Sequence, residues 1–102
     1  MAELEKDIET KLRQMVERHR GRCLKGVCPG WKGVPDRIVL LPGGRVLFVE
    51  TKRPKGGRIE PLQRKWREWL LRLGFQHYFV HDEGALAALE LIIKDLLGGA
   101  SR

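Results

Sequence analysis

Near the start of the chain, Leu4, Ile8, Leu12, Met15 and Val16 recur at helical spacing. That rhythm predicts an amphipathic helix over residues 4–16. On a wheel advancing about 100° per residue these five cover an arc of roughly 120°. Glu5 falls inside the arc, between Leu12 and Val16, and Glu9 sits just beyond its edge. Glu3 and Asp7 point elsewhere. Glu5 is thus the acid expected to face the core side, although a first-turn acid also complements the helix dipole without any further role.

Glycine, cysteine and proline crowd residues 20–33, which read as loop with room for a short strand around Leu24–Cys28. Two β-branched, apolar runs follow, Arg37–Leu41 and Arg45–Val49, joined by Pro42-Gly43-Gly44. A three-residue connection ending in glycine is a common hairpin, with its last residue in the left-handed region. After a basic loop over residues 53–60, Pro61 suits the first turn of a second helix that runs to about Leu73 and stops at Gly74. Its stripe is Leu62, Trp66, Trp69, Leu70 and Leu73, and both tryptophans read as core rather than as platforms for stacked bases. Phe75–Val80 is a further strand. Asp82 is placed to cap a last helix over residues 83–97, ended by Gly98-Gly99. One domain over residues 1–97 and a flexible tail over 98–102 are expected.

The hairpin carries the chemistry. Pro35-Asp36 leads into its first strand and Glu50-Thr51-Lys52 ends its second. If Leu41 pairs with Arg45, Asp36 lies across from Glu50, with Cβ atoms about 5 Å apart on one face. Alternation puts Lys52 on the face of Glu50 and turns Thr51 away. Like charges set opposite each other destabilise a sheet, and a buried charge is costly without a partner. The arrangement therefore suits a divalent metal held against a phosphate, with a cation beside the attacking water. Taken singly, Asp36 reads as well as a turn-forming acid after proline, and Glu50 with Lys52 as a surface salt pair.

Charge changes the picture by its distribution. The 102-residue chain is net +7 at neutral pH. Residues 11–37 and residues 52–72 each hold eight Lys/Arg against two acids, so two basic segments bracket Asp36 and Glu50. A solvated surface is the plain reading of such runs; a footprint for a phosphate backbone fits their placement better. No apolar run approaches the ~18 residues of a membrane span, and the acidic, amphipathic start is unlike a signal peptide. No membrane partner and no small-molecule cofactor are expected, and the expected location is the cytoplasm. Cys23 and Cys28 are wrongly spaced for the common zinc pairs, and His19, His77 and His81 complete no such set. Free thiols in a reducing compartment are the expectation.

With acids at Asp36 and Glu50 and a lysine two residues after the second, the chain resembles the PD-(D/E)xK nuclease superfamily. More closely it is similar to the VRR-NUC family, in the small stand-alone form known from phages and bacteria. The matching residues are Glu5-Lys6-Asp7-Ile8-Glu9, Lys25, Cys28-Pro29-Gly30, Gly33-Val34-Pro35-Asp36-Arg37, Pro42-Gly43-Gly44, Phe48-Val49-Glu50-Thr51-Lys52, Pro54 and Gln63. Together they cover residues 5 to about 80. Cys28 departs from the pattern, which often has serine there.

The resemblance implies an α/β fold of the restriction-endonuclease type, a small central mixed sheet flanked by helices in the order α-β-β-β-α-β-α. It implies a metal-dependent endonuclease of DNA, acting on branched substrates such as Holliday junctions, with the chain as a homodimer in a bacterial or phage-infected cell. Asp36 and Glu50 would bind Mg²⁺ or Mn²⁺, completed by Glu5 or Glu9 and the Thr51 carbonyl. Lys52 would orient the attacking water or stabilise charge on the phosphate. Gln63 would hold the nucleophile or the lysine in place. Lys25, Arg37, Arg53, Lys55 and Arg58 are candidate phosphate contacts. A non-catalytic DNA-binding module, or a nicking or flap nuclease of the same fold, is the alternative.

Overall fold

Helices and strands follow in the order α1 (Glu5–Arg18), β1 (Arg22–Lys25), β2 (Arg37–Leu41), β3 (Arg45–Thr51), α2 (Pro61–Arg72), β4 (Gln76–Val80) and α3 (Glu83–Ala100). The structure, a computed structural model, describes residues 5–52 and 57–100, with side chains as far as residue 98. Leu4, Arg53 and Lys55 lie outside the described residues, as does the end of the expected tail. The strands form one mixed sheet in the order β1-β2-β3-β4. β1, β2 and β3 pair antiparallel, and β4 lies parallel to β3 because α2 carries the chain back between them. This is the α/β arrangement expected from the sequence.

The β2–β3 register is the expected one, with Leu41 opposite Arg45 and Arg37 opposite Val49. Gly43 and Gly44 both take positive φ, at 83° and 74°, which fits the turn to glycine. Alternate residues of the sheet then face one layer of helices. Val39, Leu41, Leu47, Val49 and Val80 pack against Ile8, Leu12, Met15 and Val16 of α1 and Leu89 and Ile93 of α3. The stripe on α1 is the one its spacing predicts.

Three elements differ from expectation. β1 begins two residues before the anticipated Leu24, since Arg22 pairs with Leu40. α3 continues through Gly98-Gly99 to Ala100. Glycine costs a helix only about 1 kcal/mol against alanine, and the packed stripe through Ile93, Leu96 and Leu97 sustains the helix. By contrast α2 does end at glycine: Gly74 takes φ 91°, and the Gly74 and Phe75 N–H groups close back on Leu71 and Leu70. The third difference concerns the tryptophans, none of which enters the core. α2 lies on the sheet face opposite α1 and α3, where it buries Leu70 and leaves Trp69 exposed.

On that face Arg67 donates to the carbonyl of His77 and lies 3.3 Å from its Nδ1, while its guanidinium sits over Phe79. His77 is 1% exposed and its Nε2 is buried without a partner. Burial first, and the Arg67 charge second, hold its pKa down at about 4 against an ordinary 6.5. A base depressed in this way stabilises the fold in full above its unfolded value. The contribution is lost as pH falls through 6.5 towards about 4. Between about pH 7.5 and about pH 5, the stability of the wild type relative to His77→Gln, read from denaturant midpoints, should fall by about 2 kcal/mol. Equal slopes would exclude the buried ring as the cause.

Candidate active site

The ladder between β2 and β3 opens at Arg37 and Val49, and the candidate site forms just beyond it. Asp36 follows the buried Pro35, and its carbonyl accepts the Gly26 N–H at 2.7 Å. Its carboxylate is held by Thr51, the last residue of β3. The Thr51 N–H donates to Oδ1 at 3.1 Å and the hydroxyl to Oδ2 at 2.7 Å. Thr51 itself is wholly buried.

Glu5 and Glu9 reach the same place from α1, one turn apart. One carboxylate oxygen from each of Glu5, Glu9 and Asp36 lies within 4.8 Å of the others. Arg37 donates to Glu9 at 2.9 Å, so its charge is directed into the cluster. The open choice between Glu5 and Glu9 thus ends with both at the site.

Glu50 stands beside this group and turns towards α2. Its Oε1 accepts from Gln63 Nε2 at 3.0 Å, and the other end of the same amide, Oε1 of Gln63, accepts the Glu60 N–H at 2.9 Å and caps α2. Glu50 is 4% exposed and its Oε2 is buried with no partner. Lys52 is half-buried, with its N–H bonded to the Val80 carbonyl at 2.8 Å, and its charge acts on Glu50.

The expected facing of Asp36 and Glu50 is therefore corrected although the register holds. Alternation governs residues inside a ladder. Asp36 precedes the first ladder residue, and its carboxylate is drawn to the α1 side by Thr51. The hydroxyl of Thr51, expected to point away from the site, proves to be what fixes Asp36. Its signal in the sequence is a threonine on the core-facing phase of β3, in line with Leu47 and Val49, where a valine would otherwise serve.

Crowded acids in a dry place resist ionisation. Burial, opposed by the two Thr51 hydrogen bonds and reinforced by Glu9 and Glu5, raises the Asp36 pKa. Burial and then the Asp36 charge push Glu50 up to about 8, against the pull of Lys52. Lys25 and Arg58 are exposed, whereas the Arg37 side chain is 15% exposed and bound to Glu9. Cys23 and Cys28 are free, and burial raises the Cys23 thiol to about 11.

A mixed four-stranded sheet with a helix acid, an aspartate on a bend and a Glu-x-Lys strand end defines a nuclease fold of the PD-(D/E)xK type. A solved structure described as a VRR_NUC domain superposes on it with a TM-score of 0.79 at 26% identity, covering 83% of this chain and 91% of that one. "Putative nuclease p44" of Acyrthosiphon pisum secondary endosymbiont phage 1 is 43% identical over 72 residues, 71% of this chain and 76% of the relative. No family model matches the chain. The chain belongs to the VRR-NUC nuclease family.

The raised Glu50 pKa has a measurable consequence without any metal. An acid whose folded value exceeds the ordinary 4.5 contributes stability below that value, and loses it as pH rises through about 8. In chelator, the melting temperature of Glu50→Gln should rise relative to that of the wild type between about pH 5 and about pH 8.5, ending at least about 5 °C higher at the alkaline end. Parallel curves would show that burial places no burden on this carboxylate.

Proposed function

We propose that the chain is a metal-dependent DNA endonuclease that hydrolyses phosphodiester bonds, with Mg²⁺ or Mn²⁺ as cofactor and branched DNA such as Holliday junctions as substrate. One observation carries the reading: the buried, unpartnered Oε2 of Glu50, a carboxylate that feels the charges of Asp36 and Glu5, next to a cluster in which oxygens of Glu5, Glu9 and Asp36 converge. An all-oxygen donor set with one buried atom left unsatisfied fits a hard divalent ion. The phage relative named as a putative nuclease and the likeness to the VRR_NUC domain structure support it.

Glu5, Asp36 and Glu50 would hold the ion with the Thr51 carbonyl, since Glu9 is already engaged by the Arg37 guanidinium. When bound, the metal polarises the scissile phosphate and lowers the pKa of a water. Gln63 donates to one oxygen of Glu50 and so presents the other. Lys52 orients the attacking water and offsets charge gathering on the phosphate. Lys25 and Arg58, both exposed, contact the phosphate backbone, Arg53 and Lys55 share that role on the strength of the sequence alone, and Arg37 positions Glu9.

The chain acts as a homodimer, which sets two sites on opposed strands of a symmetric junction. Leu24 and Leu40, 46% and 38% exposed on the sheet face away from α1 and α3, support a second copy there. Its place is the cytoplasm of a bacterial or phage-infected cell.

Four-way junction DNA should be cut with Mg²⁺ or Mn²⁺ and left intact with chelator. Asp36→Asn and Lys52→Ala should each lower the rate at least about 10²–10³-fold while binding persists. Binding without cleavage in every metal leaves a DNA-binding module, and product mapping separates junction resolution from nicking or flap cutting. Sedimentation should give twice the 11.7 kDa chain mass, reduced to one chain by Leu24→Glu; a monomeric wild type refutes the dimer.

A further inference from the structure

All three tryptophans of the chain gather in one place outside the core. Trp31 meets Trp66 edge to face with centroids 6.0 Å apart, and Trp66 meets Trp69 likewise at 5.3 Å. With Arg72 and Leu73 they line an apolar groove of about 370 Å³. Trp66 has a part in the fold. Its Nε1 donates to the Lys32 carbonyl at 2.9 Å, tying the loop before Asp36 to α2 one turn beyond Gln63. Gly33, at φ 82°, fastens the same loop, because Leu62 packs where a Cβ would stand 2.7 Å away. No such part falls to Trp31 and Leu73, which are 66% and 72% exposed, and Trp69 is 36% exposed. Clustered aromatic surface left to water marks a binding surface.

The rim of the groove identifies its occupant. Lys65 and Arg72 lie four residues before and three after Trp69, on its side of the helix, and Lys32 is exposed next to Trp31. Glu68 is the acid on this stretch of α2. A second copy seated on a two-fold axis would lay this cationic rim upon itself. A nucleic acid strand does the opposite: its bases stack on aromatic rings while its phosphates meet lysine and arginine. Paired bases hide their faces in the helix, so a stacking groove selects unpaired ones.

We propose that the groove of Trp31, Trp66 and Trp69 binds unpaired nucleobases of the DNA substrate and thereby sets the cut beside a single-stranded or opened segment. The proposal rests on the nuclease reading and adds to it the feature of the substrate that is recognised. Trp69 is six residues beyond Gln63, about 9 Å along the helix. That is roughly two to three nucleotides at ~3.4 Å each, on the same side of the sheet as Glu50.

Because no other tryptophan exists, emission excited selectively at tryptophan reports on this groove alone. The full chain is titrated in chelator with a single-stranded oligothymidylate and, separately, with a blunt duplex of equal length. The single strand should quench emission saturably and the duplex little. Trp31→Ala and Trp69→Ala should each weaken single-strand binding by roughly five- to a hundredfold, with duplex affinity and circular dichroism unchanged. Trp69→Phe, which keeps a ring, should recover most of the loss. Single-strand binding without quenching, or unchanged affinity in both alanine variants, overturns the platform while junction cleavage still decides the nuclease reading. Emission that shifts with protein concentration in the absence of DNA shows a second copy in the groove and also overturns it. Failure to bind either DNA removes both readings together.

Discussion

The two hydrogen bonds by which Thr51 holds the Asp36 carboxylate are what the rest of the site depends on. They form where the backbone ladder has ended, so a side chain continues the pairing of β2 and β3 for one more residue. Hydrogen bonds to a charged acceptor contribute about 1.5–3 kcal/mol each. That offsets part of the cost of keeping a buried carboxylate close to Glu5 and Glu9. Released from Thr51, Asp36 would be expelled by its neighbours.

The acids are wired from both faces of the sheet. On the α1 side, Arg37 and Thr51 tend Glu9 and Asp36. On the α2 side, Gln63 and Lys52 tend Glu50. The end of β3 lies between them, and the acids are gathered there. Hydrogen bonds and an ion pair thus position the acids before any ligand arrives, which is the condition for holding a reacting group in one place.

Much of this was legible in the residues. The spacing on α1, the Pro-Gly-Gly turn and the β-branched runs set the elements and the register, because each is a local pattern with one periodicity. The direction of Asp36 was not legible, since it stands one residue outside the ladder whose alternation would predict it. Trp66 and Trp69 do lie on an apolar stripe, but a stripe does not say whether another element covers it; here the loop through Gly33 covers only part. The end of α3 was misplaced because glycine stops a helix when the chain must turn left-handed, as at Gly74, and Gly98 has no such demand.

The amide of Gln63 accepts at one end and donates at the other. Glutamate could only accept and lysine only donate, while asparagine is a methylene too short to span the same gap. Glutamine therefore satisfies the start of α2 and the glutamate of β3 at once. Rotating the amide by half a turn would set two oxygens face to face at one end and two N–H-bearing nitrogens at the other, so the group polices its own orientation. Helix nucleation and acid placement are in this way a single molecular decision, written in one side chain.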